Sequence, residues 1–257
     1  MVDVGLEHHL IRNVKLCCFD KDGTLIDLYY YWSNMVNLRA EGICKYYDFD
    51  PEIDKKNLML AMGVDVDQGR LLPSGPVGIL PRNCVQKAAE KYILGKKREN
   101  AQEVCFGIFK EVDEISAGRL SMFIKPIAGA VSLLEKIKKN GGLIAVATTD
   151  RTDRAVLAMK ILGVDSLIDS IVGADQVKES KPAPEMLKII SQELRVGLQE
   201  TIMVGDAETD IRMGINAGCL ASVGVYSGIT EREVLEKLTK HIIPDVSHMR
   251  VLSQNRI

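Results

Sequence analysis

The segment LCCFDKDGTL, residues 16–25, decides how the rest of the chain is read. Residues 14–19 (VKLCCF) form a short apolar run that stops abruptly at Asp20, and Gly23 follows three positions later. A run of this kind is a buried strand that ends in a polar loop. Asp20 and Asp22 stand two apart in that loop. Carboxylates so close repel each other, and a divalent cation relieves the repulsion.

Two further runs share this form. Residues 143–147 (LIAVA) follow Gly141 and Gly142 and end at Thr148 and Thr149, and residues 201–204 (TIMV) end at Gly205 and Asp206. Residues 170–173 and 221–225 are shorter strand candidates. Between the strands lie helical patterns. Residues 130–139 place Val131, Leu134 and Ile137 on one face and stop at Gly141, a good termination signal. Residues 151–162 and 184–194 read similarly, with Pro184 near the first turn, where its missing N–H costs nothing. Strands alternating with helices from about residue 127 predict an α/β core built on a Rossmann-like, doubly wound parallel sheet. Ligands of such sheets bind beyond the carboxyl ends of the strands. Asp20, Thr148 and Asp206 are therefore expected to converge.

Residues 27–125 read differently. Helical patterns occupy 29–47, 51–62, 83–95 and 99–115, strand signals are few, and glycine and proline in 71–81 (LLPSGPVGILP) mark a loop between two helical groups. A mostly α-helical insertion is thus expected after the first strand. The predicted organisation is an α/β core of residues 1–26 and 126–257, interrupted by a helical domain at 27–125. Residues 242–252 are expected to add one more edge strand and a short final helix.

A net charge of -2 gives no global reason to expect nucleic acid or an anionic membrane as a partner. No apolar run is long enough to cross a bilayer, and residues 1–15 lack a secretory pattern, so a cytoplasmic location is the expectation. Six cysteines without a CxxC pair suit free thiols in a reducing compartment. Nothing in the sequence fixes an oligomeric state.

The polar strand ends carry the chemistry. Asp206 and Asp210 in GDAETD add two acids to the pair at Asp20 and Asp22. Hard oxygen donors of this kind favour Mg2+, which usually keeps waters and a substrate phosphate in its shell. A metal neutralises charge on a phosphoryl group, which lets a carboxylate attack it. Thr148 can donate to a phosphate oxygen and Lys181 can supply positive charge. Thr148 is preferred to Thr149 because it directly ends the strand, and Lys181 to Lys178 because Pro182 follows it.

These residues resemble the motif set of the haloacid dehalogenase-like (HAD) superfamily of phosphohydrolases. The first motif, an apolar run followed by DxDGTL, matches residues 16–25. The second, a strand ending in Thr or Ser, matches IAVAT at 144–148. The third, Lys followed by Pro, matches KPAPE at 181–185, and the fourth, GDxxxD, matches 205–210. All four stand in the family's order, and the likeness is greatest to the phosphoglycolate phosphatase-like branch with a helical cap.

The resemblance implies an aspartyl-phosphate mechanism. Asp20 would be the nucleophile, and Asp22 would protonate the leaving oxygen and later deprotonate water. The Asp20 carboxylate, the Asp22 backbone carbonyl and Asp206 would bind Mg2+, with Asp210 orienting metal-bound water or Lys181. Thr148 and Lys181 would hold the phosphate. The expected activity is hydrolysis of a small phosphorylated metabolite, phosphoglycolate-like or a sugar phosphate, with residues 27–125 as a mobile cap. Sugar-phosphate mutase chemistry and carbon–phosphorus cleavage are the alternatives within the family, and a non-catalytic phosphometabolite-binding regulator is the alternative outside it.

Overall fold

The computed structural model describes residues 1–253. The chain divides into two compact units, one formed by Met1–Asp27 and the chain from Pro126 onward, the other by Leu28–Lys125. In chain order the first unit opens with strands β1 (Val2–Gly5), β2 (Leu10–Val14) and β3 (Leu16–Phe19). The second unit holds helices α1 (Leu28–Tyr47) and α2 (Ile53–Met62), a short hairpin of β4 (Val64–Asp65) and β5 (Arg70–Leu71), and helices α3 (Arg82–Gly95) and α4 (Ala101–Gly118). The first unit then resumes with α5 (Ala130–Lys139), β6 (Leu143–Ala147), α6 (Thr152–Ile161) and β7 (Ser170–Val172). It continues through α7 (Glu185–Leu194), β8 (Thr201–Gly205), α8 (Glu208–Ala217) and β9 (Ala221–Val225). The last elements are α9 (Arg232–Glu236), β10 (Ile242–Ile243) and β11 (Arg250–Ser253).

Six strands of the first unit form a parallel sheet in the order β10-β9-β8-β3-β6-β7. All four residues of β3 and all five of β8 are buried, as expected for strands covered on both faces. The chain leaves β3 for β6 and β7 on one side, then crosses to β8 and β9 on the other. Strand order therefore reverses beside β3, and a crevice opens at such a point in open α/β sheets.

Helix α5 buries Ala130, Leu133, Leu134 and Ile137, with Val131 at the margin rather than at the centre of the face. It carries Lys136, Lys138 and Lys139 in its last turn, where they complement the helix dipole, and the chain turns at Gly141 with φ 76°. Under the sheet Leu16, Cys18, Ala145, Val172, Met186, Ile190 and Met203 form one continuous cluster. Burial of each large aliphatic side chain contributes about 1.5–3 kcal/mol.

The expectation for the chain ends is corrected. Residues 242–243 do form the edge strand, but the final helix is only a single 3-10 turn at Val246–His248, and β11 follows it. A separate antiparallel sheet of order β11-β1-β2 pairs Val2 with Ser253 and Val4 with Val251. The strand before Asp20 is thus the third of the chain, not the first.

In the second unit the apolar faces of α1 (Met35, Val36, Ala40, Ile43), α2 (Leu58, Met62), α3 (Val85, Ala89, Ile93) and α4 (Cys105, Phe109, Val112) enclose a core. Arg39 is buried there because Asp113 Oδ1 accepts from its guanidinium at 2.9 Å and Phe109 lies beneath its plane at 4.4 Å. Tyr31 and Trp32 meet edge to face and pack on Met35, Val112 and Phe123. Among the described residues no helix is long and apolar enough to cross a membrane, and all six cysteines are free.

Candidate active site at the carboxyl ends of β3, β6 and β8

The chain turns sharply after β3. Gly23 N–H donates to Ile26 O at 2.9 Å and Ile26 N–H to Lys21 O at 2.9 Å, which closes residues 21–26 into a tight loop. Gly23 holds φ 84°, and a Cβ there would stand 2.6 Å from Asp206 Oδ2. Only glycine meets both demands, a left-handed backbone and a close approach. Asp20 leaves the end of β3 at 7% exposure, with its N–H donating to Val204 O of β8 at 2.8 Å.

Asp206 follows β8 and Asp210 lies in the first turn of α8, both buried. One carboxylate oxygen from each of Asp20, Asp206 and Asp210 falls within a mutual 4.8 Å. Lys181 reaches the same point from the loop before α7, where its peptide bond to Pro182 is cis. Its Nζ lies 2.5 Å from Asp20 Oδ1 and 2.6 Å from Asp210 Oδ1, and the side chain is 2% exposed. The other oxygen of Asp210 accepts Ala207 N–H at 3.0 Å. Asp206 accepts from Thr24 Oγ1 at 3.4 Å and from Ile229 N–H at 3.3 Å.

Three buried carboxylates and one ammonium leave an excess of negative charge. Burial first, and Asp210 second, push the Asp20 carboxyl up to about 6 despite the opposing pull of Lys181. Burial, then Asp20 and Asp210, hold the Asp206 carboxyl well above the usual carboxylate range. Lys181 pays for its burial in hydration, but Asp20 and Asp210 hold its ammonium above the ordinary lysine value. A divalent cation would neutralise this excess, and an all-oxygen donor set is the kind that Mg2+ takes. The residues therefore fit the ion.

Of the residues singled out in the sequence, Asp20, Lys181, Asp206 and Asp210 meet directly. Thr148, at the end of β6, is 1% exposed and its Oγ1 accepts Asp150 N–H at 3.1 Å, while Thr149 is exposed. Lys178 is also exposed, and its N–H donates to Glu185. The Asp22 carboxylate stands outside the group of three acids and pairs with Lys21 Nζ at 2.6 Å. Burial raises the Asp22 carboxyl and Lys21 opposes the rise. Sequence reasoning missed Lys21, Asp150, Ser227 and Gly228. Ser227 Oγ donates to Gly23 O at 2.7 Å, but nothing in a lone YSGIT segment signals that contact.

The family model of haloacid dehalogenase-like hydrolases matches residues 14–218. The pyrophosphatase PpaX of Halalkalibacterium halodurans is 35% identical over 104 residues, 40% of this chain and 48% of that protein, so the match spans about half the relative's length. The phosphoglycolate phosphatase of Neisseria meningitidis is 33% identical over 228 residues, 88% of this chain and 86% of that protein. A crystal structure of a HAD-superfamily hydrolase from Geobacter sulfurreducens superposes with a TM-score of 0.60 at 17% identity, covering 91% of this chain and 94% of the other. That last likeness is one of fold.

Proposed function

Since this chain belongs to the haloacid dehalogenase-like hydrolases, we propose that it hydrolyses a small phosphomonoester, phosphoglycolate-like or a sugar phosphate, through a phosphorylated Asp20. The observation that carries this reading is the meeting of Asp20, Asp206, Asp210 and Lys181 in one buried group beside the reversal of strand order. The Asp20 and Asp206 carboxylates and the Asp22 backbone carbonyl would hold Mg2+. When bound, the ion supplies positive charge against the phosphoryl oxygens.

In the first step an Asp20 oxygen bonds to phosphorus as the ester P–O bond breaks. The departing oxygen takes its proton from Asp22. In the second step water attacks the same phosphorus and gives a proton to Asp22, while the bond to Asp20 breaks and phosphate departs. Lys181 balances charge on Asp20 and on the transferring group. Thr148 accepts Asp150 N–H, so its own hydroxyl proton is left for a phosphate oxygen. Asp210 orients Lys181. The helical unit Leu28–Lys125, inserted directly after the Asp20 loop, is assigned the part of a cap that selects the substrate.

The test is phosphate release from a panel of phosphoglycolate, sugar phosphates and pyrophosphate, with Mg2+ and with chelator, for wild type and Asp20→Asn. Release that needs Mg2+ and vanishes in Asp20→Asn supports the reading. A folded, Mg2+-loaded wild type that releases no phosphate from any of them refutes it.

A further inference from the structure

Lys21 stands between the two aspartates of the first loop, and the proposed reaction leaves it without a task. Its side chain is 7% exposed, a rare situation for lysine unless it is paired. Nζ lies 2.6 Å from Asp22 Oδ2 and 3.3 Å from Asp150 Oδ2. Asp150 belongs to the loop after β6 and donates its N–H to Thr148 Oγ1. One ammonium thus ties the loop after β3 to the loop that carries Thr148. Among the described residues Lys21 is the only ion-pair partner of the Asp22 carboxylate.

The consequence is positional. Asp22 is two residues from Asp20, yet its carboxylate stays outside the Asp20, Asp206 and Asp210 group. An apolar side chain at position 21 would leave Asp22 and Asp150 without their shared counter-ion. The half-exposed Asp22 carboxylate would then be free to turn toward any cation held by the three acids.

We propose that Lys21 is a positioning residue for Asp22. Anchored on Asp150, its ammonium fixes the Asp22 carboxylate in register with Thr148 and apart from the metal group. Asp22 then meets the ester oxygen and not the metal. This rests on the reading of Asp22 as the proton donor of the first step. Misplacing a reacting group by about 1 Å can cost roughly 100-fold in rate.

The need for that proton depends on the leaving group. A departing alkoxide takes it as the P–O bond breaks, whereas acetate departs from acetyl phosphate as a stable anion. The experiment compares kcat/KM for an alkyl phosphate and for acetyl phosphate in wild type, Asp22→Asn, Lys21→Met, Lys21→Arg and Asp150→Asn, each checked by thermal melting. Lys21→Met is expected to lose about 10–100-fold on the alkyl ester and little on acetyl phosphate, in the pattern of Asp22→Asn. Lys21→Arg should restore most of the loss. Asp150→Asn, which keeps the Lys21–Asp22 pair and removes its anchor, should show the same selectivity in weaker form and serves if Lys21→Met does not fold. Equal losses on both substrates, or no loss on the alkyl ester, would overturn the proposal. If Asp22→Asn itself shows no dependence on the leaving group, the proton-donor reading falls with it. If Asp22→Asn shows it and neither Lys21→Met nor Asp150→Asn does, only the role of Lys21 falls.

Discussion

A Cβ on Gly228 would stand 1.8 Å from Asp206 Oδ2. The loop after β9 therefore lies directly on this carboxylate, and it is held there by Ser227 Oγ on Gly23 O and by Ile229 N–H on Asp206 Oδ2. Asp206 is enclosed between that loop and Gly23, with little room for another rotamer. Gly228→Ala must push the carboxylate or the loop aside. Displacing a group that orients a metal ligand typically costs about 10–100-fold in affinity. We expect a loss of that size for Mg2+, measured by titration calorimetry on the folded variant. Unchanged affinity would show that the carboxylate relocates without penalty.

Lys181 holds two buried carboxylates at once. Lys181→Met leaves Asp20 and Asp210 without it, and breaking a buried pair costs about 3–5 kcal/mol. At pH 7.5 in chelator the variant should melt roughly 10 °C below wild type. The deficit should narrow on acidification toward pH 5, because the Asp20 carboxyl, already near 6 in wild type, protonates more readily without its counter-ion. A deficit that stays constant with pH would mean that lost packing, not charge, is the cause.

Asp206→Asn should act in the opposite sense. The folded protein holds the Asp206 proton to well above the value of the unfolded chain. Over that interval the unfolded chain has released a proton that the folded one keeps, so stability falls as pH rises. In chelator Asp206→Asn should therefore melt a few degrees above wild type at pH 7.5, and the gain should disappear near pH 4. Added Mg2+ should raise the melting temperature of wild type and leave the variant unmoved. A variant less stable than wild type at pH 7.5 in chelator would contradict the assigned repulsion.

Thr148 and Thr149 are separable by kinetics. A hydrogen bond to a charged group contributes about 1.5–3 kcal/mol, so Thr148→Ala should lower kcat/KM for a phosphate ester roughly 10–100-fold. Thr149 is exposed, and Thr149→Ala should stay within about twofold of wild type on the same ground. Reversed sensitivities would move the phosphate contact to Thr149.

The parts of this molecule that could be read from sequence are those whose signal is local. The apolar runs of β3, β6 and β8 each end in a polar segment, and two of those ends, Asp20 and Asp206, meet in one group, while Thr148 ends the neighbouring parallel strand β6. The outer sheet was illegible for the opposite reason. Val2 and Val4 are buried on either side of a half-buried Asp3, an alternation too short to stand out, and their partner β11 lies at the far end of the chain. The β4–β5 hairpin, two residues a side, gives no periodicity at all. Lys21 gives no signal of its role, because a lysine between two aspartates reads as a solvated charge. Its burial follows from Asp150, about 130 positions away, which sequence spacing cannot show.

The place of β3 in the sheet has a consequence for how the chain is made. Both neighbours of this strand, β6 and β8, come after the helical unit, and about 120 residues separate Phe19 from Leu143. At a synthesis rate of about 5–20 residues per second, roughly 6–25 s pass before the first partner exists. The helical unit, rich in local contacts, has time to form within that delay. The segment LCCF meanwhile waits as an unpaired apolar strand, so ribosome-bound chains that stop before residue 143 should be held by chaperones and those that run past residue 205 released.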